Sequence, residues 1–197
     1  MAGTKGTTGM FEKLSGPERL TAFSDGMFSI IITIMVLDLK VPHSAEPGAL
    51  VEQWPVFLAY ALSYLQAGIY WVNHHAMFKA AEKVDDRVLW LNLLMLFTLT
   101  LMPFATAYMG ENRAAPFPTA LYAFIMLLPA LTWDQLHRAI VRVNPGDNLV
   151  SRAAMLKGWV ALGLYAAAIL AAFVSPVISL ALILAVAVMY FVPIEYL

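Results

Sequence analysis

The sequence predicts an all-α integral membrane protein with six transmembrane helices per chain, and three observations predict it. Of 197 residues, 61% are hydrophobic and 13% charged, with a mean hydropathy of +0.73, against roughly half apolar and a quarter charged in soluble domains. Apolar windows of about 20 residues, the length that crosses a hydrocarbon core, fit the chain six times with polar punctuation between them. The basic residues then fall mainly on one side of the implied sheet of lipid: ten (Lys5, Lys13, Arg19, Lys79, Lys83, Arg87, Arg138, Arg142, Arg152, Lys157) against two (Lys40, Arg113). By the positive-inside rule this places both termini in the cytoplasm.

The elements follow in order. Residues 1–18 form a cytoplasmic tail, because MAGTKGTTGMFEKLSG lacks the apolar core of a cleaved leader. The first helix, 19–41, enters from the inside at Arg19. The longest outer connection, KVPHSAEPGALVE, leads to the second helix at 53–78, which ends inside near Lys79. The third, 88–110, re-enters after Arg87, and the fourth covers 117–137. The fifth and sixth, 154–174 and 176–195, are separated only by Ser175 and Pro176, which reads as a tight helical hairpin. Residues 19–197 are thus one six-helix domain. With no cysteine there is no disulfide, thiolate ligand or cysteine nucleophile.

Comparing depths brings polar residues of three helices into one layer of the inner leaflet: Ser24 and Asp25 of the first, Asn73, His74 and His75 of the second, Asn92 of the third. Ionisable groups within a membrane face protein or water and seek partners. Those in reach of Asp25 are Arg19, the indole N–H of Trp71, and Asn73 or His74. Two readings of the layer stand together, helices pinned by buried hydrogen bonds and direct involvement in ion passage or protonation. A metal centre fits poorly, since adjacent histidines project about 100° apart on a helix. No zinc-type histidine spacing occurs either. Along the middle of the first helix, Ile30, Thr33, Ile34 and Leu37 follow i, i+3, i+4, i+7 spacing and form one stripe, about 140° from Asp25. In a lipid-facing helix such a stripe carries no message by itself.

Arg19 followed by FSDG at Phe23 to Gly26 and then IIITIMVLDL resembles the transmembrane protein 175 family, the potassium channels of animal endolysosomes and their bacterial relatives. WVNHH at Trp71 to His75 and the six-helix length are similar too. Gly26 departs from the animal pattern and agrees with bacterial members. The resemblance implies a homotetramer in the cell membrane whose first helices line a central pore. It implies a hydrophobic constriction at Ile30, Ile34 and Leu37, with Thr33 as a neighbouring polar ring, and a structural network of Arg19, Phe23, Ser24, Asp25, Trp71 and His74. The shared depth adds Asn73 and Asn92 to that network. The implied ligands are potassium ions, with weaker permeation by other monovalent cations, and the bilayer is the implied surrounding. No cofactor, enzyme activity or nucleic-acid partner is implied. The chain has no T-V-G-Y-G run, so a carbonyl-lined filter is excluded, whereas hydrophobic constrictions gate by dewetting. Three other classes stay open on the residues alone: a proton- or ion-coupled transporter, a membrane-embedded enzyme, and a scaffold without transport.

Overall fold

The computed structural model describes residues 17–145 and 152–191, and these residues are helical apart from short connections. Helix α1 spans Pro17–Val36. Its proline sits at the first position, where the missing N–H costs nothing. Beyond Val36 the chain winds on in a tighter turn, with Leu37, Asp38 and Leu39 N–H groups donating three residues back at 3.0, 3.3 and 3.1 Å. The helix is therefore shorter than the 19–41 read from hydropathy, because apolar residues continue past the point where the backbone changes winding. A short helix, α2 (Pro47–Val51), lies within the connection between the first two long helices.

Helix α3 (Trp54–Ala80) is 27 residues long, roughly 40 Å at 1.5 Å per residue. The third expected span is two helices, α4 (Asp86–Leu99) and α5 (Met102–Glu111). Pro103 lacks the N–H that would reach back to Leu99, so the ladder breaks there. The Asp85 carboxylate caps α4 by accepting from the Val88 N–H at 2.8 Å. Gly110 brings α5 onto the backbone of α3, since a Cβ there would stand 3.0 Å from Val56 Cα.

Helix α6 (Pro116–Val143) runs six residues beyond the hydropathy boundary at 137, carrying Arg138, which pairs with Asp134 one turn earlier at 2.9 Å. Helices α7 (Arg152–Ala171) and α8 (Pro176–Phe191) form the expected hairpin, closed by the Ser175 N–H on the Ala171 carbonyl at 2.8 Å. Residues 1–16 of the expected 1–18 tail and 192–195 of the last span lie outside the described residues, whereas Pro17 and Glu18 already belong to α1. Four stretches, 17–36, 86–111, 116–143 and 154–171, are long and apolar enough to cross a membrane.

Helix α6 packs on α4, α5, α7 and α8, while α3 packs on α1, α5 and α8. Helix α1 lies on the outside of this bundle, against α3, α4 and α5. At the end of α6, Asn144 ties two connections together. Its side-chain carbonyl accepts from the Glu82 and Lys83 N–H groups at 2.9 and 2.7 Å, and its amide donates to the Lys83 and Ile140 carbonyls at 2.8 and 3.0 Å.

Candidate pore helix and its polar anchor

One helix carries both features, because α1 is divided lengthwise. Leu20, Ser24, Phe28, Ile31 and Met35 recur every three or four residues and are buried against the bundle. The other side bares Ile30 and Ile34 at 53% and 45% exposure, next to Ile31 at 2% and Met35 at 0%, and Leu37, in the turn just past the end of α1, is 76% exposed. Thr33 is exposed alongside them. Its hydroxyl donates to the Ser29 and Ile30 carbonyls at 2.9 and 3.1 Å, which leaves the oxygen lone pairs rather than the proton for whatever lies outside. The Ser29 hydroxyl does the same on the Asp25 carbonyl at 2.9 Å.

The buried side holds a directed chain of hydrogen bonds. Ser24 donates its proton to the Leu20 carbonyl at 2.8 Å, so its oxygen accepts from Asn92 Nδ2 at 3.0 Å. The Asn92 carbonyl then meets His74 Nε2 at 2.8 Å and takes its proton. All three side chains are fully buried. They belong to α1, α4 and α3, so one amide joins three helices. His74 is boxed by apolar rings, Phe28 at 5.6 Å and Phe78 at 4.5 Å between centroids. Its Nδ1 is buried with no hydrogen-bond partner among the described residues.

Asp25 is anchored separately, accepting from the Trp71 indole at 2.9 Å. Ser24, His74 and Asn92 thus meet in one chain of hydrogen bonds, and Asp25 and Trp71 in a separate pair. Three other expected members do not join them. Arg19 is exposed, and no ion pair links it to Asp25 among the described residues. Asn73 donates to the Ile69 carbonyl of its own helix at 2.7 Å and faces a cleft with Gln66, Tyr70 and Trp133 on the far side of α3. One residue of helix, about 100°, separates it from His74. Phe23 points away from the bundle at 54% exposure. His75 is exposed beside the Trp71 ring, centroids 5.9 Å apart. Phe28 and Phe78 were not singled out in the sequence, although each stands four residues from a network member and so had to share its face.

The two anchors differ in what they hold. Trp71 is 41% exposed, so its indole freed of Asp25 finds other partners, and Asp25→Ala lowers stability by only about 0.5–1.5 kcal/mol, the net value of an ordinary hydrogen bond. Asp25→Asn keeps the accepting oxygen and melts near wild type. Thermal unfolding in detergent checks both, and a loss as large as that of the buried Asn92 variants would show that Asp25 has a second partner.

A family profile described as the endosomal/lysosomal potassium channel TMEM175 matches residues 19–103, which contain all but the first two residues of α1, the whole of α3 and α4, and every member of both anchors. A potassium channel of Chryseobacterium sp. (strain P1-3) is 39% identical over 178 residues, covering 89% of this chain and 92% of that one. A potassium channel of Streptomyces collinus is 41% identical over 134 residues, 64% of this chain and 65% of that one. The crystal structure of a lysosomal potassium-selective channel TMEM175 homolog from Chamaesiphon minutus superposes with a TM-score of 0.77 at 30% identity, covering 88% of this chain and 95% of that one.

Proposed function

The chain belongs to the TMEM175 family of potassium channels and is not an enzyme, and from that premise we propose that four copies surround a central pore lined by α1. Ile30, Ile34 and Leu37 form its constriction and Thr33 a polar ring beside them. Each chain crosses the cell membrane six times with both termini cytoplasmic, the orientation that puts the basic residues inside.

The observation that carries this reading is the division of α1. Its inward half is fixed by packing and by the Ser24 bond, while a narrow uncharged stripe stands clear of its own chain. One stripe encloses nothing, so a pore needs copies of it around an axis. Such a ring excludes water by dewetting and lets an ion through at the cost of part of its hydration shell. Potassium surrenders water more readily than sodium, which gives preference without a binding site. The Thr33 oxygens, with their protons turned to the helix, offer partial replacement for the lost water.

Native mass measurement in mild detergent reports four times the 21.7 kDa chain, and single-channel recording after reconstitution shows discrete potassium conductance. A stable monomer or dimer that still conducts overturns the pore arrangement.

A further inference from the structure

We propose that Phe23 lines the inner vestibule of the pore as an aromatic ring of four side chains and helps set its conductance, an inference that rests on α1 lining that pore. Phe23 lies seven residues before Ile30, about 20° away around the helix and roughly 10 Å nearer the inner end. It therefore continues the Ile30, Ile34 and Leu37 stripe, and its 54% exposure matches theirs. Its direction is imposed by the two residues that follow it. Ser24 is held by Asn92 and Asp25 by Trp71, and with consecutive residues about 100° apart these bonds fix the rotation of the helix. The serine and the aspartate hold; the phenylalanine is what they aim.

Between Phe23 and Ile30 the stripe spacing passes Gly26, which has no side chain and where a built Cβ meets nothing within 4 Å, and Met27, which is half-buried against the core of the bundle. The exposed face of α1 thus runs from an aromatic ring at Phe23 to the aliphatic constriction that starts at Ile30. An aromatic face attracts cations through its quadrupole, as an aliphatic side chain does not. Phe23 raises the local potassium concentration at the inner side of the constriction and leaves the choice between ions to Ile30.

The natural absence of cysteine makes the test direct. In Phe23→Cys channels, a cationic methanethiosulfonate reagent applied from the inner side lowers potassium current and an anionic one raises it. Neither acts from the outer side, and the reversal potential between potassium and sodium stays unchanged. Trp90→Cys, exposed on α4, shows no change of current with either reagent. Phe23→Leu lowers conductance at low inner potassium by about twofold and Phe23→Tyr preserves it, the scale a weak cation–aromatic attraction supports. The proposal falls if inner reagents leave Phe23→Cys currents unchanged, if both charges shift them in the same sense, or if Phe23→Leu conducts as wild type. Ile30→Cys separates the failures: if it responds while Phe23→Cys does not, only the vestibule is wrong, and if both are inert the pore face itself is wrong.

Discussion

Ile30→Asn raises single-channel conductance and brings the potassium-over-sodium permeability ratio down toward unity, while Ile31→Asn leaves the ratio of surviving channels unchanged and cuts their number. The two positions are adjacent, yet Ile30 is 53% exposed and Ile31 2%. In the proposed tetramer, an amide at each Ile30 puts four polar groups at one end of the constriction, removes the dewetting barrier and supplies oxygens in place of ion-bound water. The same amide at Ile31 is pushed among Phe28, Met35 and the neighbouring helices, where an unpaired buried polar group costs about 1–3 kcal/mol. Reversal potentials under potassium/sodium gradients, read beside tetramer yield, decide the matter. A changed ratio in the Ile31 variant with a normal Ile30 variant means that the pore face is rotated from the one described.

Asn92→Ala produces the largest loss of stability among the polar residues, about 2–4 kcal/mol. It strands the Ser24 oxygen and the His74 Nε2 proton together, in a site that water does not reach, at roughly 1–3 kcal/mol for each unsatisfied group. Hydrogen bonds between membrane helices average nearer 0.6 kcal/mol in double-mutant cycles, because the separated helices find other partners, so the lower part of the range applies if His74 turns to a new acceptor. Ser24→Ala removes one end of the chain only and costs less. Denaturation of the purified protein measures both. The channels that do assemble keep the wild-type permeability ratio, since nothing on the stripe has been altered. A variant of normal stability with altered selectivity would place this amide in the ion path.

The stripe and the anchor were legible in the sequence for different reasons. Helical spacing puts Ile30, Thr33, Ile34 and Leu37 on one face, but a lipid-facing helix is apolar all round, so only the family resemblance gave that stripe a meaning. The common depth of Ser24, His74 and Asn92 could be counted from helix ends set by Arg19, Lys79 and Arg87. Choosing partners could not, because that depends on the rotation of each helix, and 100° per residue separates a network member from a bystander. Asn73 and His74 show this: neighbours in sequence, they point about 100° apart on α3, one to its own helix and a cleft, the other to Asn92. Phe23 was grouped with Ser24 and Asp25 through the FSD motif of the resemblance, although neighbours on a helix point about 100° apart. Hydropathy also hid the break at Pro103, since apolar residues continue across it, and it cut α6 short at residue 137 because Arg138 and Arg142 are polar while still helical.

The exposed side of α1 bears on how copies of the chain find one another. Isoleucine and leucine are as comfortable against acyl chains as against a neighbouring protein, so a lone subunit pays no solvation penalty for leaving its stripe uncovered. Association within the bilayer then gains nothing from the hydrophobic effect and must draw on close packing and released lipid. The proposed ring would obey mass action in two dimensions: diluting the protein with excess lipid favours single subunits, and crowding it favours assembly. The number of open conduits in a vesicle should therefore climb more steeply than the amount of protein placed in it.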